Sequence, residues 1–165
     1  MDSRKNERVL CTEIYTDGSL KKLGKITFGA WAFIATRDQE SFHIDAQSCH
    51  NTTNQRMELT AVLEALKYIE QHRRPSEKII IYTDSAYIIN CYLQEWYVKW
   101  QRTGWTSANG SPVANVDLWK EIIPYFDNYW YDFQKVRGHA GNYWNEKCDE
   151  IAQSYAQTLK ENWRG

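Results

Sequence analysis

The stretch Ile79-Ile80-Ile81-Tyr82-Thr83-Asp84 decides the fold. A short, unbroken apolar run is the pattern of a strand covered on both faces, and so of a central strand with helices on either side of its sheet. It stops at a carboxylate, Asp84. Upstream, V-L-C-T-E-I-Y-T-D at residues 9–17 alternates like a strand and closes on the same Tyr-Thr-Asp string, with Asp17-Gly18-Ser19 reading as the turn. If these two strands lie side by side in parallel, Asp17 and Asp84 share the carboxyl edge of the sheet, where open α/β sheets bind ligands.

Working outward, F-G-A-W-A-F-I-A at 28–35 and S-F-H-I-D-A at 41–46 read as two more strands, forming an antiparallel meander with the first. Leu59, Val62, Leu63, Leu66 and Ile69 then follow helical spacing, entered through Asn51-Thr52-Thr53-Asn54 and stopped before Pro75. Ser85 caps a helix to about Leu93, leading into W-Y-V-K-W-Q-R-T-G-W at 96–105 and a polar loop. Asn115 reads as the cap of another helix to about Phe126. A last strand spans Tyr131 to Val136, and the final helix carries Cys148, Ile151, Ala152, Tyr155 and Leu159 as one apolar stripe. The expected order is β-β-β-α-β-α-α-β-α. It makes a single α/β domain over 9–165 behind a flexible polar tail at 1–8.

The composition agrees with that reading. The 165 residues carry 20 Lys+Arg against 21 Asp+Glu, a net charge of −1, and 42% are hydrophobic. A chain of this length buries a full core, which excludes a disulfide-stapled miniprotein. No window holds the ~20 apolar residues of a membrane span, and M-D-S-R-K-N-E-R is no signal peptide. Cys11, Cys49, Cys91 and Cys148 stand singly and read as buried thiols, so the expected setting is the reducing cytoplasm, away from membranes. Near-neutral charge argues against a nucleic-acid packaging protein. Eight Trp and eleven Tyr suggest stacking surfaces.

Glu58 and Asp149 flank the buried faces of their helices, beside Leu59 and Cys148, so four carboxylates are able to converge at one edge. Packed together they repel unless a cation holds them, and an all-oxygen site suits Mg²⁺ or Mn²⁺. A pair of such ions serves phosphoryl transfer. On spacing alone, the alternative stands that Asp17 and Asp84 are turn or capping residues and that Glu58 and Asp149 are merely solvated.

Four ordered motifs go further: Y-T-D-G-S at 15–19, T-T-N-Q-R-M-E-L at 52–59, Y-T-D-S at 82–85, and V-R-G-H-A-G-N-Y-W-N-E-K-C-D-E at 136–150. Together they resemble type 1 ribonuclease H of the bacterial kind, from about residue 9 to residue 160. The resemblance implies a ribonuclease H-like five-stranded mixed sheet in the order 3-2-1-4-5, flanked by helices. It implies endonucleolytic hydrolysis of the RNA strand of RNA/DNA hybrids by two Mg²⁺ ions, with Mn²⁺ as a substitute, leaving 5′-phosphate and 3′-hydroxyl ends. By motif, Asp17, Glu58, Asp84 and Asp149 are the metal ligands, and His139 is a loop histidine assisting proton movement or product departure. Thr53 and Asn115 resemble a pocket for a DNA phosphate, although both are also good caps. Asn54 and Gln55 resemble residues reading the minor groove and its 2′-hydroxyls. Trp96 resembles a contact to DNA sugars from a protruding handle, of which Trp100 and Trp105 read as the internal core.

The chain departs from that pattern twice. Between Asp17 and Phe28 it has G-S-L-K-K-L-G-K-I-T where bacterial relatives carry a Gly/Pro-rich loop, which leaves Lys21, Lys22 and Lys25 as phosphate contacts or as a solvated cluster. The handle holds only Lys99 and Arg102 between Trp96 and Trp105, so electrostatic capture there is expected to be weak. The chain is expected to be monomeric and to lack a separate hybrid-binding domain; origin within a retroelement polyprotein is compatible with it. A catalytically quiet binding module and a sugar-acting protein using its Trp platforms are the competing classes. The second leaves the four motifs unexplained.

Overall fold

The computed structural model describes residues 10–136 and 142–165. Strands β1 (Cys11–Leu23), β2 (Ile26–Arg37) and β3 (Glu40–His50) form the meander; helix α1 (Asn54–His72) leads to β4 (Lys78–Thr83). Three helices, α2 (Ala86–Leu93), α3 (Trp96–Arg102) and α4 (Val116–Asn128), precede β5 (Asp132–Lys135) and α5 (Tyr143–Glu161). The sheet has the expected order, β3-β2-β1-β4-β5. β1 runs antiparallel to β2 and parallel to β4, and β4 runs parallel to β5.

Period-two alternation along β1 divides the core between two faces. Ile14 points to the larger layer, with Leu59, Leu66, Ile88, Trp119 and Phe133, while Tyr15 points to α5 with Ile34, Cys148 and Ala152. Ile79, Ile80 and Ile81 are all buried, as a strand covered on both sides requires.

Four expectations change. β1 does not stop at Asp17: its ladder with β2 continues from Asp17↔Ala32 to Leu23↔Ile26, and the turn lies at Gly24-Lys25. Gly24, at φ 60°, supplies the left-handed residue that a tight hairpin needs. The segment from Trp96 is a helix of its own, giving three helices between β4 and β5. On α5 the inward stripe is Cys148, Ala152 and Ala156, whose small side chains let the helix lie close to the sheet, and Tyr155 faces solvent. Of the cysteines, only Cys91 and Cys148 are buried; Cys49 is exposed on edge strand β3 and Cys11 is half-buried.

The amino end of β4 is tied by Glu77, only 3% exposed. Its carboxylate accepts from Arg37 Nη2 at 2.7 Å, from the Arg74 N–H at 3.0 Å and from the Thr12 hydroxyl. Its carbonyl accepts from the Tyr129 hydroxyl. Burial pushes the Glu77 carboxyl up, but these hydrogen bonds and the Arg37 charge outweigh it and leave it below the ordinary glutamate value. The expected N-terminal tail at 1–8 lies outside the described residues.

Candidate active site

The two Tyr-Thr-Asp strings lie side by side. Tyr15 and Tyr82 are the last partners of the β1–β4 ladder, and their rings stack with centroids 4.8 Å apart. Thr16 Oγ1 donates to the Tyr82 carbonyl at 2.8 Å, holding the strands together one residue further. Asp17 and Asp84 therefore emerge at the same sheet edge, Asp17 from within β1 and Asp84 just beyond β4. The peptide N–H of Gly18 donates to Asp17 Oδ1 at 2.8 Å.

Glu58 arrives from α1 because that helix starts next to β1. A Cβ on Gly18 would lie 2.7 Å from the Glu58 peptide nitrogen, so only glycine permits the approach. Asn54 Nδ2, one turn earlier, faces Glu58 Oε1 at 3.5 Å. Asp149 arrives from α5, which is seated by its neighbour Cys148, whose thiol points to the carbonyls of Tyr15 at 3.5 Å and Ala32 at 3.4 Å. Gln153 Nε2 donates to Asp149 Oδ2 at 2.8 Å. The start of α5 is capped by Asn142, whose Oδ1 accepts from the Asn145 N–H.

The electrostatics show the crowding. Asp17 is 8% exposed. Burial, a hydrogen bond shared with Asp149 and the charges of Asp149 and Asp84 push its carboxyl up to about 8, against the lowering effect of the Gly18 N–H. Burial and the Asp84 charge also raise Glu58, opposed by Asn54. The Cys148 thiol is held far above its ordinary value by burial and by Asp17, Asp149 and Asp84, so it is inert packing. All four carboxylates are thus within electrostatic reach along the chain Asp149–Asp17–Asp84–Glu58. Among the described residues, no three acidic, His or Cys side chains are drawn tightly enough to enclose a metal ion unaided. His139 lies outside the described residues.

The other expected contacts lie at the starts of α1 and α4 and on α3. Thr53 caps α1, its Oγ1 accepting from the Arg56 N–H at 3.1 Å. Asn115 stands at the cap position of α4 in the left-handed region, φ 60° and ψ 34°, and its side chain makes no cap bond. It donates instead to Gln55 Oε1 at 3.0 Å. Trp96 is half-buried, its Nε1 donating to Gln94 at 3.1 Å, and borders a cleft of about 580 Å³ lined also by Lys99, Trp100 and Thr103. Trp100 is buried against Trp105 and Trp119, as expected of handle core.

Residues 11–157 match the family model described as RNase H. A ribonuclease H from Syntrophomonas wolfei is 40% identical over 146 residues, 88% of this chain and 96% of its own. Another, from Thermoanaerobacter sp. strain X514, is 40% identical over 152 residues, 92% of each. The chain belongs to the ribonuclease H family. Its fold also resembles that of the foamy viral protease-reverse transcriptase in complex with dsDNA, with a TM-score of 0.77 and 21% identity over 89% of this chain and 94% of that one. As a ribonuclease H the chain is a hydrolase acting on RNA/DNA hybrids.

Two site residues escape a reading of the sequence. Gly18 sits in an Asp-Gly-Ser string that signals a turn, yet it serves close helix packing. Arg56, inside T-T-N-Q-R-M-E-L, donates to Asn115 and Asp117. Its place between Gln55 and Glu58 was the available signal.

Proposed function

We propose that this ribonuclease H cleaves the RNA strand of hybrids at the edge where Asp17, Glu58, Asp84 and Asp149 meet, leaving 5′-phosphate and 3′-hydroxyl ends. The observation that carries this is the crowding of acids at one buried edge: Asp17 is 8% exposed, shares a hydrogen bond with Asp149 and feels the Asp84 charge, Glu58 feels Asp84 as well, and the leading influences on both carboxyls include no cationic side chain. A protein keeps such a cluster at a cost in stability, and a hard cation relieves it.

The donor chemistry fits Mg²⁺, or Mn²⁺ in its place, because all four groups are oxygen donors. Held by Asp17, Glu58, Asp84 and Asp149, such cations would supply the Lewis acidity that activates a water and stabilises a departing 3′ oxygen. The chain's own part is to aim the ligands. The Gly18 N–H orients Asp17, Asn54 steadies Glu58, Gln153 steadies Asp149, and the Thr16–Tyr82 bond sets Asp17 beside Asp84. Thr53, Asn54, Gln55, Asn115 and Trp96 receive the hybrid, and His139 moves a proton or speeds product departure.

The test uses labelled RNA/DNA hybrid, double-stranded RNA and double-stranded DNA, each with Mg²⁺, Mn²⁺ or chelator, with mapping of the product ends. Cleavage is expected for the hybrid alone and only with metal. Asp84→Asn keeps the shape and removes the charge, so activity should fall more than about tenfold, or ~1.4 kcal/mol, with the fold intact. Greater residual activity refutes the ligand role. Metal-independent cleavage of a polysaccharide would favour the sugar-acting class instead.

A further inference from the structure

We propose that Arg56 is a positioning residue for hybrid binding: it joins the start of α1 to the start of α4, so that Thr53, Gln55 and Asn115 act as one prearranged surface. The inference rests on the reading above that these three face the hybrid. Arg56 meets Thr53 through its backbone and Asn115 through its side chain, and Asn115 in turn meets Gln55. The Arg56 peptide N–H donates to Thr53 Oγ1 at 3.1 Å. Its guanidinium donates from Nη1 to Asn115 Oδ1 at 3.1 Å and to Asp117 Oδ1 at 3.0 Å, and from Nη2 to Asp117 Oδ2 at 2.7 Å. That is the forked, two-bond engagement of a carboxylate which a lysine cannot reproduce.

The arrangement also explains Asn115. Its left-handed backbone is strained for any residue with a Cβ, and asparagine is among the few that tolerate it. Its carbonyl accepts from the N–H groups of Leu118 and Trp119, both at 3.1 Å, so the backbone starts α4 without help from the side chain. The freed amide spans to α1, with Oδ1 towards Arg56 and Nδ2 towards Gln55. Flipping it would set the Asn115 NH2 against the guanidinium, which has donors only, so Arg56 determines which way the amide faces and the Gln55 amide, able to present either end, follows with its oxygen.

Asp117 is then the informative residue. A carboxylate beside a surface for a polyanion is unfavourable by charge alone. Its two bonds to Arg56 give it a use: they anchor the guanidinium that holds Asn115. The Arg56 and Asp117 side chains are 34% and 65% exposed, and pairs so open to water contribute little to stability. Their loss should therefore register in binding rather than in melting.

The experiment measures hybrid affinity with Ca²⁺ replacing Mg²⁺, and steady-state cleavage with Mg²⁺, for the wild type and five variants. Asn115→Ala and Gln55→Ala test the surface; Arg56→Ala, Arg56→Lys and Asp117→Asn test the positioning. Asp117→Asn is expected to weaken binding about three- to tenfold although it removes a negative charge, the loss expected of one or two hydrogen bonds. Arg56→Ala should match it, and Arg56→Lys, with its charge kept, should recover little. For the Arg56 and Asp117 variants KM should rise while kcat stays within about twofold, and the melting temperature should hold. If Asp117→Asn binds as well as wild type or tighter while Asn115→Ala binds weakly, the positioning role is overturned. A fall of about 0.9 in the salt slope for Arg56→Ala overturns it too, making Arg56 a direct phosphate contact. If Asn115→Ala and Gln55→Ala both bind like wild type, the substrate reading of these amides fails and the inference with it.

Discussion

Replacing Gly18 by alanine adds one methyl group where β1 meets α1. The new Cβ would lie 2.7 Å from the Glu58 nitrogen and 2.8 Å from the Met57 carbonyl carbon and Cβ, two of these three being backbone atoms that no rotamer change can move aside. Ordinary contact begins near 3.5 Å, so the start of α1 must retreat by about 0.8 Å. Overpacking of this kind costs ~1–3 kcal/mol, and the stiffer unfolded chain returns ~0.4–1 kcal/mol. The net loss of about 1–2 kcal/mol lowers the melting temperature by roughly 2–8 °C. The retreat is delivered to Glu58 itself, and misplacing a catalytic group by about 1 Å costs up to ~10²-fold. Hybrid cleavage at saturating substrate should fall about 10- to 100-fold in a protein that is still folded. Gly24→Ala is the control: its left-handed φ makes alanine unfavourable by ~1–2 kcal/mol, yet nothing lies within 4 Å of the added carbon. It should lose stability and keep its turnover. A Gly18→Ala protein with turnover within twofold of wild type and an unchanged melting temperature would refute the claim that this contact sets the position of Glu58.

Glu77→Ala leaves Arg37 and Thr12 without their buried acceptor and should cost ~3–5 kcal/mol in urea unfolding. Because the Glu77 carboxyl is lowered in the folded state, its stabilisation is present above the unfolded value near 4.5 and is lost as the pH falls below it, so the gap between wild type and Glu77→Gln should narrow in acid. His139→Ala should slow turnover about 10- to 1000-fold without abolishing it or weakening hybrid binding; complete loss accompanied by lost metal binding would make His139 a ligand or a structural residue. With only Lys99 and Arg102 on α3, hybrid affinity in Ca²⁺ should fall with salt along a shallow slope. A slope implying eight or more phosphate contacts would show that another basic surface, such as Lys21 and Lys25, dominates capture.

The carboxylate edge was legible because both Tyr-Thr-Asp strings end strand patterns, one alternating and one continuously apolar; the parallel pairing that unites them was a condition of that reading, and the sheet order came from the resemblance to ribonuclease H. The extension of β1 was not. Lys21, Lys22 and Lys25 carry no hydrophobic alternation, since this part of the hairpin projects into solvent and pairs only through its backbone. Helix α3 was hidden because Glu95 enters it in a left-handed conformation with no capping hydrogen bond. The role of Arg56 depends on a partner 61 residues away, a distance that no local pattern spans. His139 lies outside the described residues, and its proposed part in the reaction rests on the motif.

The hairpin beyond Asp17 has a kinetic consequence. A loop that becomes ordered on contact gives up roughly 1–2 kcal/mol of backbone entropy per residue at that moment. Here residues 18–23 are already paired with β2, so that loss is incurred during folding. Where this hairpin meets a duplex, association should be limited by encounter and orientation rather than by ordering of the segment, and the heat-capacity change should match the area of rigid surfaces brought together, without the excess that accompanies folding on contact.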